Sequence, residues 1–377
     1  MISGSERRQH LWGIDCLRFA AALLVAFFHL TWAEQGVTTM VWFGWIGVQI
    51  FFVISGLVIA RSANNTTPLR FVESRALRLY PAAWTCAVVG LLVAALVHHP
   101  IPDLAQRFLN SFFLAPVGPF LATAYWTLPI ELAFYALIFV LLLVGAFDRL
   151  ERVAVWLSVL SAAYNVALAL QVAGLFAWPD LDFGYEWKNM TLLRHGIYFA
   201  IGIFIWLWSQ RRLSRIGWAA FVIAVTAAPV EITCRTAELV EIMPVAITLA
   251  QAWLAPVLLW VAAVAAIVWS TKWEHKLGDP PKALQAIARS IGLATYPLYL
   301  LHEQLGEAAR NWLLKFEVPF FLSVCLAILL STMVALAVAV VVEPSVRRIM
   351  RGWLRAVTSV ADGTPWLQRL LRPGGTL

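Results

Sequence analysis

The sequence predicts an all-α polytopic membrane protein. Of its 377 residues, 61% are hydrophobic and only 13% are charged, whereas soluble domains average about 45–50% apolar and about 25% charged residues. The mean hydropathy is +0.78. A water-soluble fold could not cover so much apolar surface, so the composition excludes a soluble enzyme, a disordered chain and a disulfide scaffold.

Ten apolar segments are long enough, or nearly so, to cross a bilayer as helices. They cover residues 14–33, 42–61, 80–97, 127–147, 153–174, 196–209, 216–234, 244–270, 287–313 and 317–343. The first segment is too long for a cleavable signal peptide, so we expect it to remain as a helix. A further apolar stretch, 108–121, is interrupted by prolines and a glycine, and we interpret it as re-entrant or interfacial.

Lys and Arg are concentrated on one side of this arrangement. With the N-terminus in the cytoplasm, 21 of the 28 Lys and Arg residues fall in cytoplasmic segments, six fall on the opposite side, and Arg18 lies within the first segment. This asymmetry follows the positive-inside rule. It predicts ten transmembrane helices with both termini in the cytoplasm of a plasma (inner) membrane protein. Glu231, Glu238 and Glu241 are then expected in an acidic outer loop.

The end of the chain mixes Arg with Ile, Met, Trp and Leu over residues 346–355. Such a helix can lie on the surface of anionic membrane lipid, although a basic stop after the last span is the simpler interpretation. We therefore divide the chain into a membrane domain, 1–345, and a basic cytoplasmic amphipathic tail, 346–377.

Ionisable side chains inside apolar helices are candidate functional groups, because each costs about 2.5 kcal/mol or more at a helix centre. Arg18 and His29 are eleven residues apart, which places them on one helix face and about 16 Å apart along the axis. An Arg at the cytoplasmic mouth can hold a phosphate, and a deeper His can accept a proton from a nucleophile. A neutral core histidine is the structural alternative for His29.

The other candidates lie in three later segments. Arg75 and Arg78 share a helical face and fit a cytoplasmic anion site, although positive-inside anchoring also explains them. Glu131 lies in an apolar helix, where a carboxyl group should be protonated or paired; we expect His29 or a substrate hydroxyl as its partner. Tyr299 and His302 are three residues apart, at a depth similar to that of His29, where an interhelical hydrogen bond is the structural alternative.

Several of these residues stand in motifs that resemble the acyltransferase 3 family of integral membrane O-acyltransferases. In the first quarter of the chain the motifs are Arg18 with His29, the run GVQIFFVISG at 47–56, and Arg75-Ala-Leu-Arg78. Later motifs are Trp126-Thr127-Leu128-Pro129-Ile130-Glu131 with Phe134-Tyr135, Tyr299-Leu300-Leu301-His302, and Glu343-Pro344 with Arg347. Each motif is short, but six in the family's order are much more specific than any one of them.

The resemblance implies an enzyme that transfers acyl groups other than aminoacyl groups. Acyl-CoA, with acetyl-CoA the expected donor, would enter from the cytoplasm, and Arg18, Arg75 and Arg78 would hold its phosphates. His29 would act as a general base or carry the acyl group transiently, and Glu131 would hold the acceptor or set the His29 tautomer. The expected acceptor is a hydroxyl of a cell-surface glycan or lipid-linked sugar. The supporting residues would be Ser55, Trp126, Tyr135, Tyr299 and His302.

Two other function classes fit the hydropathy. A transporter or flippase for an anionic or lipid-linked solute would also have ten spans and buried charges, whereas a structural scaffold would not need a buried His and Glu. The four cysteines form no metal-binding motif, and we expect neither a metal nor a nucleic-acid partner. The sequence gives no indication of the oligomeric state.

Overall fold

The computed structural model describes residues 10–32, 41–97, 103–175, 190–242, 249–273, 276 and 279–361. Within these ranges the chain is helical and contains no strand. Its α-helices are α1 Trp12–Thr31, α2 Gly47–Ala63, α3 Pro68–Leu96, α4 Leu104–Phe113, α5 Thr127–Leu143, α6 Leu150–Val172, α7 Gly196–Ser209, α8 Arg215–Ile242, α9 Leu249–Trp273, α10 Lys282–Leu314, α11 Phe320–Ala337 and α12 Glu343–Ala361.

Every predicted apolar segment overlaps one of these helices. Among the described residues, eight helical stretches are long and apolar enough to cross a membrane. Of the helices that match predicted segments, α7 has only 14 residues, and α10 carries ionisable residues along its 33-residue length. The all-helical, multi-pass architecture is confirmed, while the count of ten spans and the location of both termini stay predictions.

Helix α3 begins well before the predicted start of its segment at residue 80. The Thr67 side chain accepts a hydrogen bond from the Arg70 amide at 3.3 Å, and Pro68 occupies the first turn, a position that suits proline. Arg75 and Arg78 therefore lie on a continuous helix that carries them toward the apolar core.

The prediction that Glu231 and Glu238 lie in an outer loop is wrong, because α8 continues through both residues to Ile242. Glu231 is fully buried. Arg194 donates hydrogen bonds to Glu231 at 2.9 Å and to Glu238 at 2.8 Å. This pairing offsets the cost of burying the carboxylates, so the helix does not need to end before them.

The short stretch read as re-entrant or interfacial forms α4 and an irregular segment that returns along it. With 10 residues, α4 is only about 15 Å long, too short to cross a bilayer. Asn110 donates to the Pro119 carbonyl at 3.0 Å, and the Leu121 amide donates to the Ser111 hydroxyl at 2.9 Å. These bonds hold the irregular segment against α4.

The core around the candidate site is built by α1, α2, α5 and α10. Helix α1 packs on α2 and α10, and α2 packs on α5 and closely on α7. At the α2–α7 crossing a side chain at Gly56 would meet the Phe199 carbonyl, and one at Gly202 would meet the Val53 carbonyl. Small residues of this kind allow membrane helices to approach backbone to backbone.

The last two helices are joined without a break by a π-helical segment, Val338–Val342. Helix α12 packs against α3, and the predicted domain boundary at 345/346 falls inside α12. The basic residues at the start of the predicted tail therefore lie beside the basic turns of α3.

We expect Gly202→Ala to destabilise the fold by about 1–3 kcal/mol, because the added methyl group overlaps the α2 backbone. Gly352→Ala is the matched control, since a side chain there would meet no atom within 4 Å. The measurement is the thermal unfolding midpoint of the purified protein in detergent. Equal midpoints for the two variants would contradict the close α2–α7 packing.

Candidate active site

A narrow cavity of about 50 Å³ lies between α1, α2, α5 and α10. Polar side chains from all four helices line it: Arg18, Ser55, Thr127, Glu131 and Tyr299 are among them. Four of these five residues were predicted from the sequence, and Thr127 was noted there only as a motif residue. The structure thus brings together side chains that are separated by hundreds of residues.

Glu131 is held by two hydroxyl groups. The Ser55 hydroxyl donates to Glu131 Oε1 at 2.8 Å, and the Tyr135 hydroxyl donates to the same oxygen at 2.6 Å. The prediction that Glu131 is the partner of His29 is wrong. Glu131 is hydrogen-bonded to Ser55 and Tyr135, and His29 is hydrogen-bonded to a different residue. Glu131 remains a candidate for contact with a substrate hydroxyl.

His29 is paired with His302 across α1 and α10. Nδ1 of His29 lies 2.8 Å from Nε2 of His302, and the rings stack with centroids 5.0 Å apart. His302 is fully buried, whereas His29 is partly exposed. The interhelical hydrogen bond considered as the structural alternative for His302 is therefore present, and its partner is the predicted catalytic histidine.

The hydrogen bonds of this pair define both neutral tautomers. His302 Nδ1 lies 3.3 Å from the Leu298 carbonyl, which can only accept, so Nδ1 carries the proton and Nε2 has the lone pair. His29 must then donate from its Nδ1 to that lone pair. Nε2 of His29 is left unprotonated in the neutral ring, and it is the atom that can accept a proton from a substrate.

Tyr299 joins the cavity to the histidine pair. The Thr127 hydroxyl donates to the Ala124 carbonyl at 3.0 Å, so the Tyr299 hydroxyl, 3.0 Å from Thr127 Oγ1, acts as donor to it. The Tyr299 ring centroid is 5.8 Å from that of His302. The predicted Tyr299–His302 pair therefore has one member lining the cavity and the other holding His29.

Arg18 lies where the central cavity meets a second one. This second cavity, of about 300 Å³, opens at the basic end of the bundle and is lined also by Asp15 and Arg61. Arg18 is partly buried, and the charges of Arg78 and Glu131 act on its guanidinium group. A ligand that enters at the basic end would meet Arg18 before it reaches Glu131.

The three arginines predicted to hold phosphates are divided between two places. Arg18 lines the passage just described, whereas Arg75 and Arg78 line a third cavity at the basic end. Arg75 lies 6.0 Å from the centre of the Tyr135 ring, a cation–π contact. Tyr135 in turn donates to Glu131. Its side chain therefore contacts one residue that lines the third cavity and one that lines the central cavity.

Trp126 lies beside a charged cluster that the sequence analysis did not identify. Its ring is 5.7 Å from the buried His195 ring, and His195 Nδ1 is 4.0 Å from Glu231. Glu231 also accepts hydrogen bonds from Tyr198 at 2.7 Å and from Gln49 at 3.3 Å. The one sequence feature that points to this cluster is the pair Arg194-His195 directly before an apolar helix.

The sequence model of a family described as "Acyltransferase domain" matches residues 11–342, nearly the whole chain. The chain belongs to the acyltransferase 3 family. It is a multi-pass member of that family, since eight of its described helical stretches are long and apolar enough to cross a membrane. The resemblance seen in the short motifs is confirmed over residues 11–342; the last motif, Glu343-Pro344 with Arg347, lies just beyond the match.

Three curated proteins are similar to parts of this acyltransferase. A protein of Komagataeibacter xylinus named as a membrane-bound transacylase, BcsY, is 31% identical over 54% of this chain and 52% of its own. The exopolysaccharide production protein ExoZ of Rhizobium meliloti (strain 1021) is 33% identical over 25% of this chain and 32% of its own. A protein of Acidianus two-tailed virus named as an acetyltransferase, ORF330, is 33% identical over 30% of this chain and 36% of its own.

The chain spans about half the length of the first of these relatives and about a third of the other two. No solved structure matches it.

We expect His302→Ala to lower kcat for acyl transfer by about 10²-fold or more, with little change in the donor KM, because His29 loses the acceptor that fixes its tautomer. His302→Gln should recover part of the rate, since an amide oxygen can accept from His29 Nδ1. The measurement is the initial rate with acetyl-CoA, the donor expected from the sequence, and a cell-envelope extract. Equal losses in both variants, or an effect on KM alone, would contradict a positioning role.

Proposed function

We propose that this acyltransferase moves an acetyl group from cytoplasmic acetyl-CoA to a hydroxyl of a cell-surface glycan or lipid-linked sugar. The observation that carries the proposal is the His29–His302 pair, which leaves His29 Nε2 free to accept a proton. His29 is not among the residues that line the central cavity; the pair is next to it through Tyr299, which lines the cavity and whose ring packs on that of His302.

The donor enters at the basic end because CoA carries phosphate groups and arginine binds phosphates through paired N–H donors. In this proposal Arg18, Arg75 and Arg78 hold those phosphates, and the thin pantetheine arm extends past Arg18 toward Tyr299 and His29. The concentration of Lys and Arg at this end favours a cytoplasmic location for it and a plasma membrane location for the protein.

The transfer itself needs one base and no metal. His29 Nε2 accepts the proton of the acceptor hydroxyl while the hydroxyl oxygen forms a bond to the thioester carbonyl carbon. The C–S bond then breaks, and the CoA thiolate accepts that proton from the His29 imidazolium. His302 keeps Nδ1 of His29 engaged throughout, as the orienting group does in other base-assisted acyl transfers.

Glu131 is the acceptor-binding residue in this mechanism. Ser55 and Tyr135 both donate to Oε1 of Glu131, which fixes the carboxyl group and directs Oε2 to other partners. A carboxylate oxygen in a low-dielectric cavity is a strong acceptor for a sugar hydroxyl. The printed name of ExoZ, an exopolysaccharide production protein, supports a glycan as the class of acceptor.

The alternative of a transporter or flippase is less well supported. Family membership favours an enzyme, and a transport site does not require a histidine whose tautomer is fixed by a second buried histidine.

We expect His29→Ala to abolish acetyl transfer, because the acceptor hydroxyl loses the base beside it and the remaining lone pair, on His302 Nε2, belongs to a fully buried ring on the far side of the removed imidazole. The test is incubation of the purified protein with labelled acetyl-CoA and a cell-envelope extract, followed by identification of the labelled product. An unchanged thermal midpoint and gel-filtration profile would show that the variant is folded. Normal turnover in a folded His29→Ala protein would remove the catalytic assignment.

A further inference from the structure

A cavity lined by arginines lies at the basic end of the bundle, apart from the passage at Arg18. It has a volume of about 420 Å³. We call it the arginine cavity; its basic residues are Arg70, Arg75 and Arg78 of α3 and Arg347 and Arg351 of α12. Two helices that are far apart in the sequence thus supply guanidinium groups to one concave site.

The arginine cavity lacks the negative charge that would balance it. Glu73 is the one acidic residue among the described residues that line it, and Glu343 is hydrogen-bonded to Arg347 from outside the lining. Nε of Arg75 and Nε of Arg347 are both buried, and neither has a hydrogen-bond partner in the described part of the chain. Buried donors are normally satisfied, so the guanidinium groups of Arg75 and Arg347 are incompletely paired in a cavity whose described lining offers one carboxyl group for five arginines.

The position of the basic residues on α12 supports a built site. Arg347 and Arg351 are four residues apart and share a helical face, and α12 packs against α3. Arg348 and Arg351 are both exposed, but only Arg351 lines the cavity. Only one face of this basic helix is therefore directed to the cavity. If α12 only bound the membrane surface, its arginines would not need to lie beside the three arginines of α3.

The arginine cavity is adjacent to the proposed reaction path. Arg75 contacts the Tyr135 ring, and Tyr135 donates to Glu131 in the central cavity. The charge of Arg78 acts on Arg18. The arginine cavity therefore lies within one side chain, that of Tyr135, of the Glu131 carboxyl group in the central cavity.

We propose that Arg347 and Arg351 of the last helix bind, together with the α3 arginines, the nucleotide phosphates of CoA. The inference rests on the proposed function and adds to it that the start of the predicted tail is part of the donor site. The shared chemistry is a phosphate anion, for which an anionic lipid headgroup is the other possible source. Several phosphates on one end of CoA match a site with five guanidinium groups better than a single headgroup phosphate does.

The experiment measures calorimetric binding of CoA and of pantetheine, which lacks the phosphates, in nanodiscs of zwitterionic lipid. We expect Arg351→Gln to raise the Kd for CoA about tenfold, the effect of losing one charge-assisted contact, and to leave pantetheine binding unchanged. Arg75→Ala should act in the same direction. Arg348→Gln, on the same helix but outside the cavity, is the matched control and should bind CoA like the wild type.

Equal CoA affinity in the Arg351→Gln and Arg348→Gln proteins would overturn the inference. So would an effect of Arg351→Gln that appears only when the discs contain anionic lipid, since the occupant would then be a headgroup. A wild-type protein that binds CoA through these arginines but transfers no acetyl group would instead overturn the proposed function. Absence of CoA binding in the wild type would overturn both.

Discussion

The first helix must carry an arginine and a histidine through an apolar environment, and the rest of the site follows from that constraint. Such groups persist in a membrane only where neighbours compensate them. Helix α10 provides His302 for His29, and α5 provides the charge of Glu131 near Arg18. Close packing of α1 on α10 makes this possible, with Gly306 of α10 lying against Leu30.

The protein contains two kinds of buried polar group. In the Arg194 cluster, the guanidinium and the Glu231 carboxylate are almost fully buried and hydrogen-bonded to each other, which is typical of a group that holds helices in place. At the proposed site, by contrast, no described residue is hydrogen-bonded to Nε of Arg75 or of Arg347, and the neutral tautomer leaves a lone pair on His29 Nε2. The groups proposed to bind substrates are thus incompletely hydrogen-bonded among the described residues. The groups that stabilise the fold are hydrogen-bonded to each other.

The sequence predicted much of the site because helix geometry alone relates residues within one helix. The 3.6-residue repeat places Arg18 and His29 on one face, and buried charge identified Glu131 and His302 as candidates. Pairing between helices was not predictable in this way. His29 and His302 are 273 residues apart, and only the packing of α1 on α10 shows that His302, not Glu131, is the partner.

Two further features lay beyond sequence reasoning for physical reasons. Arg194 and Glu231 look like loop charges when each is considered alone, and only their pairing explains why α8 continues through Glu231. Arg351 belongs to a basic stretch that has the composition of any cytoplasmic stop signal. Its place in a cavity depends on the uninterrupted connection through Val338–Val342 and on contact with α3.

In the proposed mechanism one site connects a donor at the basic end of the bundle with an acceptor on the opposite side of the membrane. Proteoliposomes with labelled acetyl-CoA sealed inside and envelope extract supplied only outside test this connection. We expect labelled external acceptor with the wild-type protein and none with His29→Ala. Label that forms only when donor and acceptor share a compartment would contradict it.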